Sequence, residues 1–323
     1  MQHFYVGGYS AALYHCVYDK QKAITILEDY KIPNASYLCF SKDRKYIYAV
    51  IEEESGGAAA FSVESDGSLK LINKVQSGGA FPCHLSVSDS QKTLFIAHYG
   101  SGTTAAFQLN TDGGIGSLTN KIDHSKLGKP TKAYPGRQEA AHAHFVQPVK
   151  DSLYICDLGL DCVLQLDFNG NELGRFSAPS AYGARHMAFH PDNNCTYLVC
   201  EMGCAVIALN DLKGSQPVSV LNKPDPKCTS AAIRLSPDGK FLLVSNRGGD
   251  SDSISVLGLD LKLNSVVNSG GSCPRDFQFN PSGDKVFVAN QDSNIIQVFN
   301  WENGKLSQDT MSLNVKRPTC VLF

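Results

Sequence analysis

Pro274–Asn290 reads PRDFQFNPSGDKVFVAN. Apolar and polar residues alternate on both sides of Pro281-Ser282-Gly283, and a period of two belongs to strands rather than helices. Within the tripeptide, proline presets φ and glycine relieves the exit of the turn. The stretch is therefore a hairpin, and it is not unique in the chain. Pro237-Asp238-Gly239 stands in the same place within AAIRLSPDGKFLLVSNRGG (231–249), and ARHMAFHPDNNCTYLVCEMG (184–203) follows the same plan. Weaker copies are PCHLSVSDSQKTLFIAHYGS (82–101), AHAHFVQPVKDSLYICDLGLD (141–161) and ASYLCFSKDRKYIYAVIEEE (35–54).

Aligned on the start of their first strands, the copies give Tyr37, His84, His144, His186, Ala232, Asp276 and Cys320, with successive gaps of 47, 60, 42, 46, 44 and 44 residues. A repeat of this length made only of strands is the mark of a β-propeller blade. The expected fold is all-β, a seven-bladed β-propeller forming a single domain over residues 1–323. The last copy has only RPTCVLF before the chain ends, whereas HFYVGGYS and LYHCVYD near the start read as strands with no first strand before them. The C-terminal strand is therefore expected to complete a composite blade with the N-terminal strands, which removes open edges. A sandwich has no such fixed period. The WD40 type is disfavoured by a single tryptophan, Trp301.

The 60-residue gap holds an insertion, residues 123–140, DHSKLGKPTKAYPGRQEA. Its Gly, Pro and Lys content and lack of strand period predict a long loop, and such loops are often functional.

The bulk composition narrows the partners. The chain of 323 residues has a formal net charge of −2, with 29 basic and 31 acidic side chains. Nothing there points to nucleic acid or to an anionic membrane surface. The start lacks the basic and apolar regions of a secretory signal, and no apolar run is long enough to span a bilayer. The 11 cysteines are scattered through apolar runs without a C-x-x-C pair, as expected of reduced thiols in a cytoplasmic protein. Oligomeric state is not legible.

In a blade, the start of the first strand and the end of the second emerge on one face. The first-strand column contributes His142, His144, Arg185, His186 and Arg275. A second column, 13 to 15 positions beyond the anchors, holds His98, Asp157, Glu201, Asn246 and Asn290, with Arg247 beside it. Arginines, imidazoles and carboxylates gathered at one channel mouth are costly unless they have a task. The structural alternatives are blade-to-blade bridges for Arg185, Arg247, Glu201 and Arg275, backbone caps for His84, His98, His186 and His190, and a turn for Asp157. His142 and His144, two apart on a strand, share a face and permit a metal pair, but no third ligand at recognisable spacing completes a zinc set. No metal and no cofactor are expected.

GRQEAAHAHF, CDLGLD, GARHMAFHP, YLVCEMG, LSPDGKFLLVSNRGGDSDSISVL and PRDFQFNPSGDKVFVANQDS occur in order between Gly136 and Ser293, within a likeness that runs from about Pro82 to the C-terminus. Together they resemble the lactonase family of seven-bladed propellers, which includes a 6-phosphogluconolactonase and fungal carboxymuconate cycloisomerases. The resemblance implies a catalytic set of His144, Arg185, Glu201 and Arg247. His142, Arg275, Asp157 and His186 are expected around it as substrate-binding residues. Two positions depart from the family pattern: Ala184 replaces proline before the arginine, and His98 stands where asparagine is commoner.

Opening a lactone needs an activated water and stabilisation of the oxyanion. A neutral histidine suits the first task, and guanidinium groups suit the second while also clamping a phosphate or carboxylate. No G-x-S-x-G elbow or Walker-type loop is present. The expected activity is hydrolysis of an anionic sugar lactone, 6-phosphogluconolactone to 6-phosphogluconate, in the pentose phosphate pathway. His144 would serve as base and His142 as its support. Muconolactone cycloisomerisation and a non-catalytic propeller that binds a partner or metabolite remain open alternatives.

Overall fold

The computed structural model describes residues 1–20, 23–191 and 195–323; the turn residues 192–194 of the copy at 184–203 lie outside these. The described residues form seven antiparallel sheets, six of four strands and one with five strand segments. Within each sheet the strands follow one another in chain order, as hairpin connections dictate. The exception is the predicted composite sheet, whose order is Pro318–Leu322, Gln2–Gly8, Leu13–Asp19 and Ala23–Tyr30. The fifth segment arises where an outer strand breaks into Lys213–Gly214 and Val218–Ser219. Pro217 lies in the break and has no N–H to offer the ladder.

Burial follows strand position. Pro82–Val87 and Lys285–Asn290, inner strands, are buried along their whole length, whereas the outer strands Leu69–Gln76 and Lys305–Asn314 are largely exposed. The hairpin turns have the expected backbone, with φ of 69° at Gly239 and 71° at Gly283.

The chain divides into two compact units, one of Met1–Ser10, Cys16–Leu27 and Arg185–Phe323, the other of Ala11–His15 and Glu28–Ala184. In the first unit, Phe277, Val286, Val288 and Phe299 form a core with Trp301 at its margin. Phe4 stacks on Phe323 at 5.0 Å, and Phe287 meets both rings. In the second unit, Val146, Leu153, Ile155 and Leu164 form one core, and Tyr48, Leu85, Ile96 and Phe107 belong to another.

Strand register corrects one detail of the repeat. Pro82 pairs with His98 and His84 with Ala97, leaving Cys83 as an extra residue. Ala143 pairs with Asp157 and Phe145 with Cys156, so the extra residue there is His144. The same bulge falls on Arg275, between Pro274 and Asp276, and on Thr319, between Pro318 and Cys320. The true counterpart of His84, Asp276 and Cys320 is therefore Phe145, and His144 matches Cys83, Arg275 and Thr319. A bulge residue has no partner across the ladder, so its position shows in the pairing of the two strands and not in one strand's sequence. The second column is as read: His98, Asp157 and Asn290 each pair with the residue just before a bulge.

The insertion begins within a strand, since Asp123 ends Ile115–Asp123 and a 3₁₀ turn covers His124–Lys126. Apart from these, residues 127–140 form no strand.

Candidate active site

In the first unit, Arg185 lies near the start of the strand Ala184–Phe189 and is 2% exposed. Its Nε donates to Glu201 Oε2 at 2.8 Å, and one terminal nitrogen donates to the carbonyl of Ala231 at 2.8 Å. Glu201 directly follows the strand Cys195–Cys200 and is 1% exposed. Its carbonyl accepts the N–H of Ser230 at 2.8 Å, tying the carboxylate-bearing turn to the first strand of the following sheet. Arg247 ends the strand Phe241–Arg247 and donates to the other carboxylate oxygen, Oε1, at 3.1 Å. Its Nε also reaches Thr229 Oγ1 at 3.4 Å.

One carboxylate thus lies between two guanidiniums, and the trio carries a net charge of +1. The carboxylate bonds both planar guanidiniums, one through each oxygen. With 12% of its side chain exposed, Arg247 is the member open to solvent.

Arg275, on its bulge, donates to Tyr9 Oη at 2.8 Å and packs its guanidinium over the Tyr9 ring at 5.0 Å. Arg317 approaches the same ring at 5.5 Å. Arg275 is thus held by a tyrosine of the N-terminal segment rather than by the carboxylate that holds Arg185 and Arg247. His186, next to Arg185, is buried. Asn246 is fully enclosed in a network of Ser230, Ser253 and Ser255, as a connector of strands.

The second unit holds the imidazoles. His142 Nδ1 lies 2.8 Å from the carbonyl of Tyr99, and the His142 ring stacks on the Tyr99 ring at 4.4 Å and 14°. A carbonyl only accepts, so Nδ1 carries the proton and Nε2 keeps its lone pair in the neutral ring. Nε2 lies 3.4 Å from Glu139 Oε1. His144 meets the same tyrosine edge-on at 5.8 Å.

Asp157 supports this group from beneath. One oxygen accepts the N–H groups of His142 at 2.9 Å and Leu160 at 3.0 Å, and the other meets His124 Nδ1 at 2.8 Å. Asp157 and His124 are both 0% exposed. Asp157, expected among the substrate-binding residues, is buried with three protein partners and supports the His142 backbone.

His84 stacks between Tyr37 and Phe145, and its Nδ1 accepts the N–H of Val146, as expected of a structural imidazole. His98 is also enclosed, bonded to Thr103 and Ser77, and burial lowers its pKa to about 4.

Two residues here escaped the sequence reading. His124 sits in the insertion, whose lack of period gives no register. Tyr99 follows His98 without repeat or motif to mark it, although an aromatic residue one position past the second column was the available signal.

Among the described residues no group of three or more His, Cys, Asp and Glu side chains is arranged to hold a metal ion. No helix of the described chain is long and apolar enough to cross a membrane.

Seven sheets of hairpin-connected strands define an all-β protein, and Glu201 with Arg185 and Arg247 forms a buried arginine–carboxylate cluster in it. Residues 3–323 match the family model described as lactonase, 7-bladed beta-propeller, and the chain belongs to that family of enzymes. A 6-phosphogluconolactonase of Formosa agariphila is 34% identical over 302 residues, covering 86% of this chain and 84% of its relative. The solved periplasmic gluconolactonase of Pseudomonas aeruginosa superposes with a TM-score of 0.92 at 25% identity, covering 99% of this chain and 98% of that one. A solved protein from Lactobacillus plantarum gives 0.89 at 26% identity, with 99% and 98% covered. The fold class expected from the repeat, a seven-bladed β-propeller, is that of the family.

Proposed function

We propose that the chain hydrolyses an anionic sugar lactone, with 6-phosphogluconolactone as the substrate and 6-phosphogluconate as the product. The observation that carries this reading is Glu201 held between Arg185 and Arg247, a trio of net positive charge with Arg247 reaching solvent. The similarity to a 6-phosphogluconolactonase supports the choice of lactone.

On this reading His144 takes a proton from water as the water oxygen attacks the lactone carbonyl carbon. The guanidiniums stabilise the resulting oxyanion. Collapse of that intermediate breaks the ring C–O bond, and the proton passes to the ring oxygen to leave the open hydroxy acid. His142, Arg275 and His186 contribute to binding. The setting is the pentose phosphate pathway in the cytoplasm, and the 11 free thiols support a reducing compartment.

The test is the disappearance of freshly generated 6-phosphogluconolactone measured against its spontaneous rate. Acceleration that is lost in both His144→Ala and Arg185→Ala supports the reading. No acceleration by the wild type, or full activity in both variants, overturns it. Turnover of carboxymuconate in place of the lactone moves the assignment to cycloisomerisation.

A further inference from the structure

The insertion does more than bridge two strands. It is tied down on both sides of Arg137, all within the second unit. Thr131 donates its N–H to the Gly159 carbonyl at 3.0 Å and its hydroxyl to Asp161 Oδ2 at 2.9 Å. Gln138, fully buried, donates to the Leu158 carbonyl at 2.9 Å and accepts the N–H of Tyr134 at 3.1 Å. Between these ties, Arg137 Nε donates to Tyr99 Oη at 3.1 Å. A guanidinium is planar, so engaging Nε fixes the direction of both terminal nitrogens.

Tyr99 meets Arg137, His142 and His144. Its hydroxyl holds Arg137, its carbonyl holds His142 Nδ1, and its ring lies flat on His142 and edge-on to His144. The cation of the insertion and the imidazole pair therefore meet at one residue. The half-buried Arg137 remains accessible. An arginine ordered before binding loses little entropy when it takes up an anion.

We infer that Arg137 is a specificity-determining residue that takes the phosphate of the lactone, and that Tyr99 is the positioning residue that aims it from the side of the imidazoles. This inference rests on the lactonase reading above. It adds the insertion to the binding machinery and separates recognition of the phosphate from opening of the ring.

Three variants separate the contacts: Arg137→Gln removes the cation, Tyr99→Phe removes only the hydroxyl, and Tyr99→Leu removes the ring as well. Each is assayed on 6-phosphogluconolactone and on uncharged gluconolactone. Arg137→Gln is expected to raise KM for the phosphorylated lactone about tenfold, with kcat within about twofold and KM for gluconolactone unchanged. Tyr99→Phe moves KM in the same direction by a smaller factor, and Tyr99→Leu also lowers kcat for both lactones. Arg137→Lys, which keeps the charge but not the fork, restores part of the loss.

Wild-type KM for the phosphorylated lactone in both Arg137→Gln and Tyr99→Phe overturns the inference, as does an equal rise for both lactones. Calorimetric titration with 6-phosphogluconate and with gluconate separates it from the parent reading. A wild-type preference for the phosphorylated acid that Arg137→Gln abolishes supports the inference even if neither lactone is turned over, in which case the lactonase reading alone fails. Equal binding of the two acids by the wild type overturns it.

Discussion

Arg185 and Glu201 meet at 2.8 Å with 2% and 1% of their side chains exposed, one on a strand and the other just past the end of its neighbour in the sheet. Neither charge is exposed enough to be rescued by water, so each depends on the other. Removing one partner of such a pair costs about 3–5 kcal/mol, because the charge left behind stays buried. Glu201→Gln is accordingly expected to lower stability by about 3 kcal/mol in urea denaturation and to abolish lactone turnover. A variant as stable as the wild type shows that the carboxylate is not needed to hold the two arginines.

Arg247 sits at the open side of the same carboxylate and gives a cleaner functional probe. Arg247→Lys keeps the charge but loses the fork that bonds Glu201 and Thr229 together. Stability is expected to change by about 1 kcal/mol, because lysine keeps the positive charge that the buried Glu201 carboxylate faces and loses one hydrogen bond. Lactone kcat/KM is expected to fall about 100-fold, the scale of losing one oxyanion donor. An equal loss of stability and activity assigns Arg247 to the fold instead.

His98 makes stability depend on pH. Burial lowers its pKa from 6.5 to about 4, so the folded state resists a proton that the unfolded chain accepts readily. The stabilisation is full above pH 6.5 and is lost progressively as pH falls toward 4, by about 3 kcal/mol. His98→Asn removes this titration, and its stability curve is expected to be flatter than the wild type between those pH values. Parallel curves overturn the assignment.

Gly159 lets the insertion lie against the imidazole side. A Cβ there meets the Ala140 carbonyl oxygen at 1.7 Å and His142 Cδ2 at 3.1 Å. The first contact is with a backbone oxygen, so the chain itself must move. Gly159→Ala is expected to cost about 2 kcal/mol and to lower activity by displacing His142, and thermal melting alongside the lactone assay checks both.

The composite sheet predicts the effect of truncation. Deleting residues 318–323 strips the partner of the first strand, Gln2–Gly8, and takes Phe323 from its stack on Phe4. An unpaired inner edge and a lost aromatic contact are expected to yield an aggregating chain. Light scattering of the purified truncation against the full chain measures this, and a monodisperse truncation counts against it.

The repeat was legible because hairpins leave local marks. Alternation, Pro-Asp-Gly and Pro-Ser-Gly turns and a spacing near 44 residues are properties of neighbouring residues, and they located the strands and the composite closure. The second column was legible for the same reason, since each member lies one hairpin from the start of its strand. Arg185, Glu201, Arg247 and His144 were named as candidates through the motifs of the family resemblance.

Other features depended on distant residues. The bulge at His144 is visible only against its partner strand, where one residue has no counterpart. The burial of Asp157 beneath His142 requires His124 from the insertion, and the Tyr99–Arg137 bond joins a strand end to a loop 38 positions away. Sequence by itself determined the strands, their repeat and the chemical types available. Only the tertiary structure decided which charges share a proton or a hydrogen bond, because those interactions fall off within a few ångströms and carry no period along the chain.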